Sequence, residues 1–211
     1  VLKNHISIIT LLRPGIINIS VIKVNTKTMK QDIKRINIIG TSGSGKSTVS
    51  RQIAKKLNLP YIELEELCWQ DNWTELSDAE FFLKVQKAVS SDGWVLDGTY
   101  SRTRHIKWKR VQMVVYLDLP LHLVLYRVLR RTLLYIFKGQ LLWAGNKETF
   151  RRAFFSYDSI ILWSLKTFFR NRKDYLIVSK SSTFSHIKFV RLRSKKEVEN
   201  FVAQPNDTFN Q

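Results

Sequence analysis

Apolar residues along this chain fall into two alternating rhythms. Short, nearly continuous runs read as buried strands: Ile36-Asn37-Ile38-Ile39, Tyr61-Ile62-Glu63-Leu64, Trp94-Val95-Leu96-Asp97, residues 111–118 and residues 187–192. Between them apolar positions recur at helical spacing. Val49, Ile53 and Leu57 form one stripe. Phe81, Phe82, Val85, Ala88 and Val89 form a second, behind the capping box Ser77-Asp78-Ala79-Glu80. Pro120 suits the first turn of a helix over residues 121–137. After a polar break at 138–146, Phe150, Phe154, Tyr157, Ile161, Leu165 and Phe168 make a further stripe, and residues 194–201 a closing helix. Residues 174–186 fit no single pattern. Strands alternating with helices predict parallel pairing in an α/β fold, a three-layer α/β/α sandwich around a mostly parallel five-stranded sheet.

The chemistry concentrates after the first strand. Gly40-Thr41-Ser42-Gly43-Ser44-Gly45-Lys46-Ser47 is a complete phosphate-binding loop, with a strand before it and a helix after it. Glycines let successive backbone N–H groups turn around phosphate oxygens, and the helix N-terminus adds its positive end. Lys46 can reach the β- and γ-phosphates, the Ser47 hydroxyl can ligate Mg²⁺, and Thr48 opens the helix. The cofactors expected are ATP and Mg²⁺.

Ligands of open α/β sheets sit at the carboxyl ends of the strands. Asp97 ends the third strand, placed to hold Mg²⁺ beside the loop; a turn Asp before Gly98 is the alternative. Glu65 and Glu66 follow the second strand, where they can orient or deprotonate a hydroxyl acceptor or simply begin a solvated helix. Arg127, Arg130 and Arg131 share a helical face suited to phosphoryl oxygens, with Arg127 and Arg130 expected to stabilise the transferring group. Arg102 and Arg104 are weaker candidates for the same role. Asn171-Arg172-Lys173-Asp174 resembles a guanine-recognition box, but its Arg and its helical context exclude that reading.

With 211 residues and 44% hydrophobic content, the chain suits one α/β domain. Cys68 is the only cysteine, so no intrachain disulfide forms, which fits a cytoplasmic location. Residues 119–137 are interrupted by arginines, so no membrane span is expected. Residues 1–28 hold no motif and lack a signal-peptide core, and Met29 stands seven residues before Ile36. They are expected to be a disordered extension or a start placed too early, leaving residues 29–211 as the domain. The formal net charge is +18, and +14 remains once the four basic residues of that segment are set aside. Such a balance suits phosphorylated small molecules, nucleic acid or an anionic membrane surface. The basic residues from Arg151 to Lys173 interleave with aromatics, which helical spacing assigns to the core first.

Several motifs together resemble the adenylate-kinase-related family of DNA topology modulation proteins (FlaR-like). They are Gly40 to Thr48, Leu59 to Glu65, Cys68-Trp69, Asn72-Trp73, Gly93 to Tyr100, Tyr116 to Pro120, and Arg127 to Thr132. The resemblance runs from about residue 34 to 202 and implies a nucleoside-monophosphate-kinase-like P-loop NTPase fold with a lid near residues 132–150. It departs at two sites, with Glu65 where the family carries Asp and Thr99 where it carries Asn. The activity implied is transfer of the γ-phosphoryl of MgATP to a nucleotide or other small molecule. The alternative is an ATP-dependent nucleic-acid-binding, topology-related regulatory protein.

Overall fold

The computed structural model describes residues 33–139, 142–146, 149–150, 153 and 159–205. Residues 1–28, Arg151, Arg152, Phe154 and Tyr157 lie outside them. Five strands form one sheet: β1 (Arg35–Gly40), β2 (Tyr61–Glu63), β3 (Trp94–Asp97), β4 (Met113–Leu117) and β5 (Lys188–Leu192). Their order is β2-β3-β1-β4-β5 and every pairing is parallel. The helices are α1 (Lys46–Leu57), α2 (Leu64–Cys68), α3 (Asp78–Ala88), α4 (Arg104–Lys107), α5 (Leu121–Lys138), α6 (Ile160–Val178) and α7 (Lys195–Ala203).

Alternation along the strands builds three layers. Trp94, Leu96, Val114 and Tyr116 face a core completed by Phe81 and Val85 of α3 and by Tyr175 and Val178 of α6. Ile36, Ile38, Val95, Val115 and Leu117 face the opposite core, closed by Val49, Ile53 and Ala54 of α1 and by Phe201 of α7. Both faces being covered explains why the strands read as continuous apolar runs. Three of the five predicted strands are trimmed: Leu64 starts α2, Val111, Gln112 and Asp118 lie outside β4, and Ile187 lies outside β5.

The region that fitted no pattern, 174–186, divides. Residues through Val178 continue α6, and Ser182–Phe184 form a 3₁₀ turn. The stripe expected over 150–168 is corrected in phase. Phe168 is buried, but Leu165 is 41% exposed while Ser164 and Thr167 face inward. Their hydroxyls donate to helix carbonyls at Ile160 and Trp163, so they need no partner from the core.

The strand order fixes where a ligand can lie. β1 sends the chain toward β3 and β2, whereas β4 sends it toward β5, so the reversal falls at the carboxyl ends of β1 and β4. The Gly40 loop leaves from that point.

Candidate active site

The loop is shaped by close approach. Gly43 has φ +81°, and a Cβ there would stand 2.5 Å from Val128 Cγ2 and 2.7 Å from the Val124 carbonyl oxygen. Helix α5 is therefore packed directly against the loop. Gly45, at φ +97°, is the N-cap of α1; no side chain caps that end and its first turn carries no acid. The free N–H groups of the turn and the helix dipole are left for an anion. The Ser44 N–H donates to Thr41 O (3.1 Å), and Lys46 Nζ reaches the same carbonyl at 3.4 Å. Ser44 Oγ is buried with no partner among the described residues.

Thr99 pins the loop from its other side. Its Oγ1 donates to Gly40 O (2.9 Å) and accepts from the Gly40 N–H (3.2 Å). Thr99 is held in turn by Lys107, which is completely buried and whose Nζ donates to the carbonyls of Thr99 (2.7 Å) and Gly98 (3.3 Å). Burial, aided by Arg104, pulls this ammonium down to about 7, with Glu65 opposing. Asn37, equally buried in β1, donates to the carbonyls of Leu96 (3.0 Å) and Gly98 (3.2 Å) and accepts from Trp108 Nε1 (3.0 Å). Sequence reasoning missed both residues. The only signal was a polar residue inside an apolar strand and a lysine in the basic run Lys107-Trp108-Lys109-Arg110.

Three carboxylates meet at the ends of β2 and β3. Parallel register puts Glu63 opposite Asp97. The Tyr61 hydroxyl lies 2.8 Å from Glu63 Oε2 and 3.1 Å from Asp97 Oδ2, and Arg51 pairs with Glu63 at 3.0 Å. Burial raises the proton affinity of Asp97, with Glu63 adding to the effect, while Lys46 and hydrogen bonds from Ser47 and Tyr61 oppose it. Glu65 is half-buried overall, and its Oε2 is out of solvent without a partner among the described residues. Burial, with Asp97 and Glu63 nearby, pushes its carboxyl up to about 7 against the pull of Lys46. The structure thus brings together Lys46, Ser47, Asp97 and Glu65, four residues singled out in the sequence. Glu66 is exposed.

The arginines divide differently from expectation. Arg127 Nη1 donates to Ser44 O (3.2 Å) and Arg131 Nη2 to Ser42 Oγ (2.9 Å). Arg130 is exposed and shows no hydrogen bond among the described residues. At 100° per residue, Arg131 lies about 60° and Arg127 about 100° from Val128, whereas Arg130 lies about 160° away, almost opposite the loop. Arg102 pairs with Glu75 and Asp78, and Arg104 with Asp174, so neither points at the loop as the sequence allowed. Asp118 pairs with Arg191 and Arg172 rather than with the α5 arginines.

Two further features border the site. In the expected lid segment, Trp143 Nε1 donates to Glu63 Oε1 (2.9 Å), and Asn146 bridges Gln70 O (2.9 Å) and the Trp73 N–H (2.7 Å). Beyond β4 and β5, an open cleft of about 410 Å³ is bounded by Asp118–Leu121, Phe168, Phe169, Arg172 and Arg193. Asn171 of α6, the neighbour of Arg172 in the chain, donates to Thr41 Oγ1 of the loop at 3.5 Å.

Shikimate kinase from Acinetobacter baumannii, solved with shikimate, superposes with a TM-score of 0.53 over 85% of this chain and 94% of its own, at 17% identity. The chain has the P-loop kinase fold. A family model described as an AAA domain matches residues 36–133, from β1 into α5. Shikimate kinases from two strains of Francisella tularensis subsp. holarctica are 40% identical over 65 residues, 28% of this chain. That stretch spans little more than a third of those relatives, 37% of their length.

Proposed function

We propose that this protein is a small-molecule kinase that transfers the γ-phosphoryl group of MgATP to a hydroxyl of its acceptor. The observation that carries this reading is the convergence of Lys46, Asp97 and Glu65 on one end of the sheet, beside an uncapped helix N-terminus. The residues present fit both groups. The glycines hold the loop in left-handed turns, Gly43 against α5 and Gly45 at the uncapped helix start, and Ser44 Oγ and Glu65 Oε2 are buried without partners among the described residues. Ser47 and Asp97 offer the hard oxygen donors that Mg²⁺ takes a few of while keeping water and phosphate ligands. Bound there, Mg²⁺ would neutralise charge on the phosphates.

The chain's own residues supply the rest. Loop N–H groups, among Thr41, Ser42, Gly43, Gly45 and Thr48, and the Lys46 ammonium orient the phosphates, while Gly40 and Ser44 shape the loop through their bonds to Thr99 and Thr41. Arg127, with Arg131 beside it, aims a guanidinium at the loop, where charge on a transferring phosphoryl group is stabilised by fixed donors. Glu65 accepts the proton of the attacking hydroxyl, and its raised affinity suits a general base near neutrality. Positioning of this kind supplies most of the acceleration in phosphoryl transfer. The basic charge alone supports the nucleic-acid alternative, and no contact in the structure adds to it.

The test is ADP formation from MgATP against a panel of hydroxyl acceptors that includes shikimate, run on the wild type and on Lys46→Ala. One acceptor should raise ADP release well above the acceptor-free rate, and Lys46→Ala should abolish the increase and weaken MgATP binding. Unchanged MgATP affinity in a folded Lys46→Ala variant would overturn the loop assignment, and no acceptor-dependent rate across the panel would overturn the kinase reading.

A further inference from the structure

Helix α6 is amphipathic in the wrong sense for a helix that only covers a sheet. Its inward face includes Ser164 and Thr167, whereas Leu162, Leu165, Phe169 and Leu176 stand on the outside, 37–61% exposed. These four fall within an arc of about 60° on a helical projection. Lys166 and Lys173 adjoin that arc and Arg170 lies just beyond; all three are exposed. Trp163 is 54% exposed, with the Arg170 guanidinium 5.6 Å over its ring. The one acid of the helix, Asp174, is already paired with Arg104. Helix α5, which packs against α6, repeats the pattern with Tyr126 and Phe137 at 62% and 82% exposure beside the exposed Arg130.

We propose that this face docks on an anionic membrane surface. An apolar stripe bordered by lysines and an arginine, with an exposed Trp beyond that arginine, is the composition of an interfacial helix. The aliphatic stems enter the headgroup boundary while the cationic ends stay with anionic lipid. Nucleic acid fits less well, because Leu162, Leu165 and Leu176 neither stack on bases nor hydrogen-bond. A second copy of the chain would bring Lys166, Arg170 and Lys173 against their own kind. No helix among the described residues is long and apolar enough to cross a bilayer, so the face is read as lying on the surface. The acidic lipid is the complement that satisfies both the stripe and the charge.

The experiment is co-sedimentation of the full chain with vesicles of phosphatidylcholine alone and of phosphatidylcholine carrying phosphatidylglycerol, in 0.1 M salt. Each basic residue near an anionic surface multiplies binding about fivefold, so three should give a preference on the order of a hundredfold for the acidic vesicles. The double variant Leu162→Glu/Leu165→Glu and the double variant Lys166→Glu/Lys173→Glu should each lose at least about tenfold of that binding. Both should keep the wild-type melting temperature, because all four side chains are exposed. Equal binding to the two vesicle types would overturn the proposal. So would unchanged binding in the variants, or a concentration-dependent dimer or single-stranded DNA complex lost in the same variants. None of these four residues belongs to the phosphate-loop site, so neither result bears on the kinase reading.

Discussion

Replacing Glu65 by Gln keeps the shape of the side chain and removes the proton it binds. In the folded protein burial pushes this carboxyl up to about 7, against 4.5 for a free glutamate side chain. Below the lower value both folded and unfolded chains hold the proton, and pH has no leverage. Between the two values the unfolded chain has released it while the folded protein keeps it, so each rise in pH favours unfolding. Across that window the wild type should lose about 3 kcal/mol relative to Glu65→Gln. For a protein of this size that corresponds to about 6–12 °C in melting temperature. The assay is thermal unfolding of both proteins without nucleotide from pH 4 to 8. The gap between them should widen in favour of the variant as pH rises to about 7 and then level off. Other titrating groups are common to both proteins and cancel, apart from those that interact with Glu65 itself, Asp97, Glu63, Lys46 and Lys107. Turnover of the variant should fall by about 10²-fold or more if the carboxylate is the base. A constant gap across the whole range would refute the buried, raised carboxyl, and normal turnover would remove Glu65 from the chemistry.

Gly43→Ala should destabilise the protein by about 2–4 kcal/mol in chemical denaturation, because the added carbon meets the Val124 carbonyl and the backbone is left-handed; a loss below about 0.5 kcal/mol would refute the tight packing of α5 on the loop. Arg127→Ala should lower kcat by about 10²–10³-fold, and Arg130→Ala by far less; the reverse order in steady-state kinetics would mean that α5 turns before transfer. Lys107→Met should abolish a gain in stability that the wild type shows between about pH 7 and 10, where the unfolded chain still holds the proton and the folded lysine has lost it. Parallel melting curves for the two proteins over that range would show that Lys107 stays charged.

Periodicity exposed the strands and most helices because the sheet is covered on both faces, so burial and sequence pattern coincide. The loop, Asp97 and Glu65 were legible for a related reason: their chemistry is local, set by the strand end each follows. Phase and pairing across the fold were not. Arg130 and Arg131 are neighbours in sequence, and only the position of Val124 and Val128 on the loop decides which one turns toward Ser42. Lys107 sits in a run that reads as solvated, and its burial depends on three carbonyls brought together by the turn after β3. In α6 the pattern misled because hydroxyls that bond their own helix can face a core, which left Leu165 and Phe169 outside.

Charge balance links these long-range features to the proposed chemistry. Glu63, Glu65 and Asp97 crowd the ends of β2 and β3, and the cations facing them are Arg51, paired to Glu63, and Lys46, while Lys107, which also interacts with Glu65, is itself pulled down to about 7 by burial. Three carboxylates against two cations leave one negative charge in excess, in a place where burial already penalises ionisation. The excess is relieved by protonation of the group with the least support. Glu63 has Arg51, Tyr61 and Trp143; Asp97 has Ser47 and Tyr61, with its Oδ1 unpaired; Glu65 has no bond from another side chain, and its Oε2 is buried and unpaired among the described residues. Glu65 therefore keeps its proton near neutral pH, and a cation arriving at Ser47 and Asp97 would lower its affinity by Coulomb attraction. The base would be freed by the same event that loads the donor side of the site. Trp143 is hydrogen-bonded to Glu63 of this cluster, so the segment beyond α5 is tied to the carboxylate cluster through its neighbour rather than through Glu65 itself.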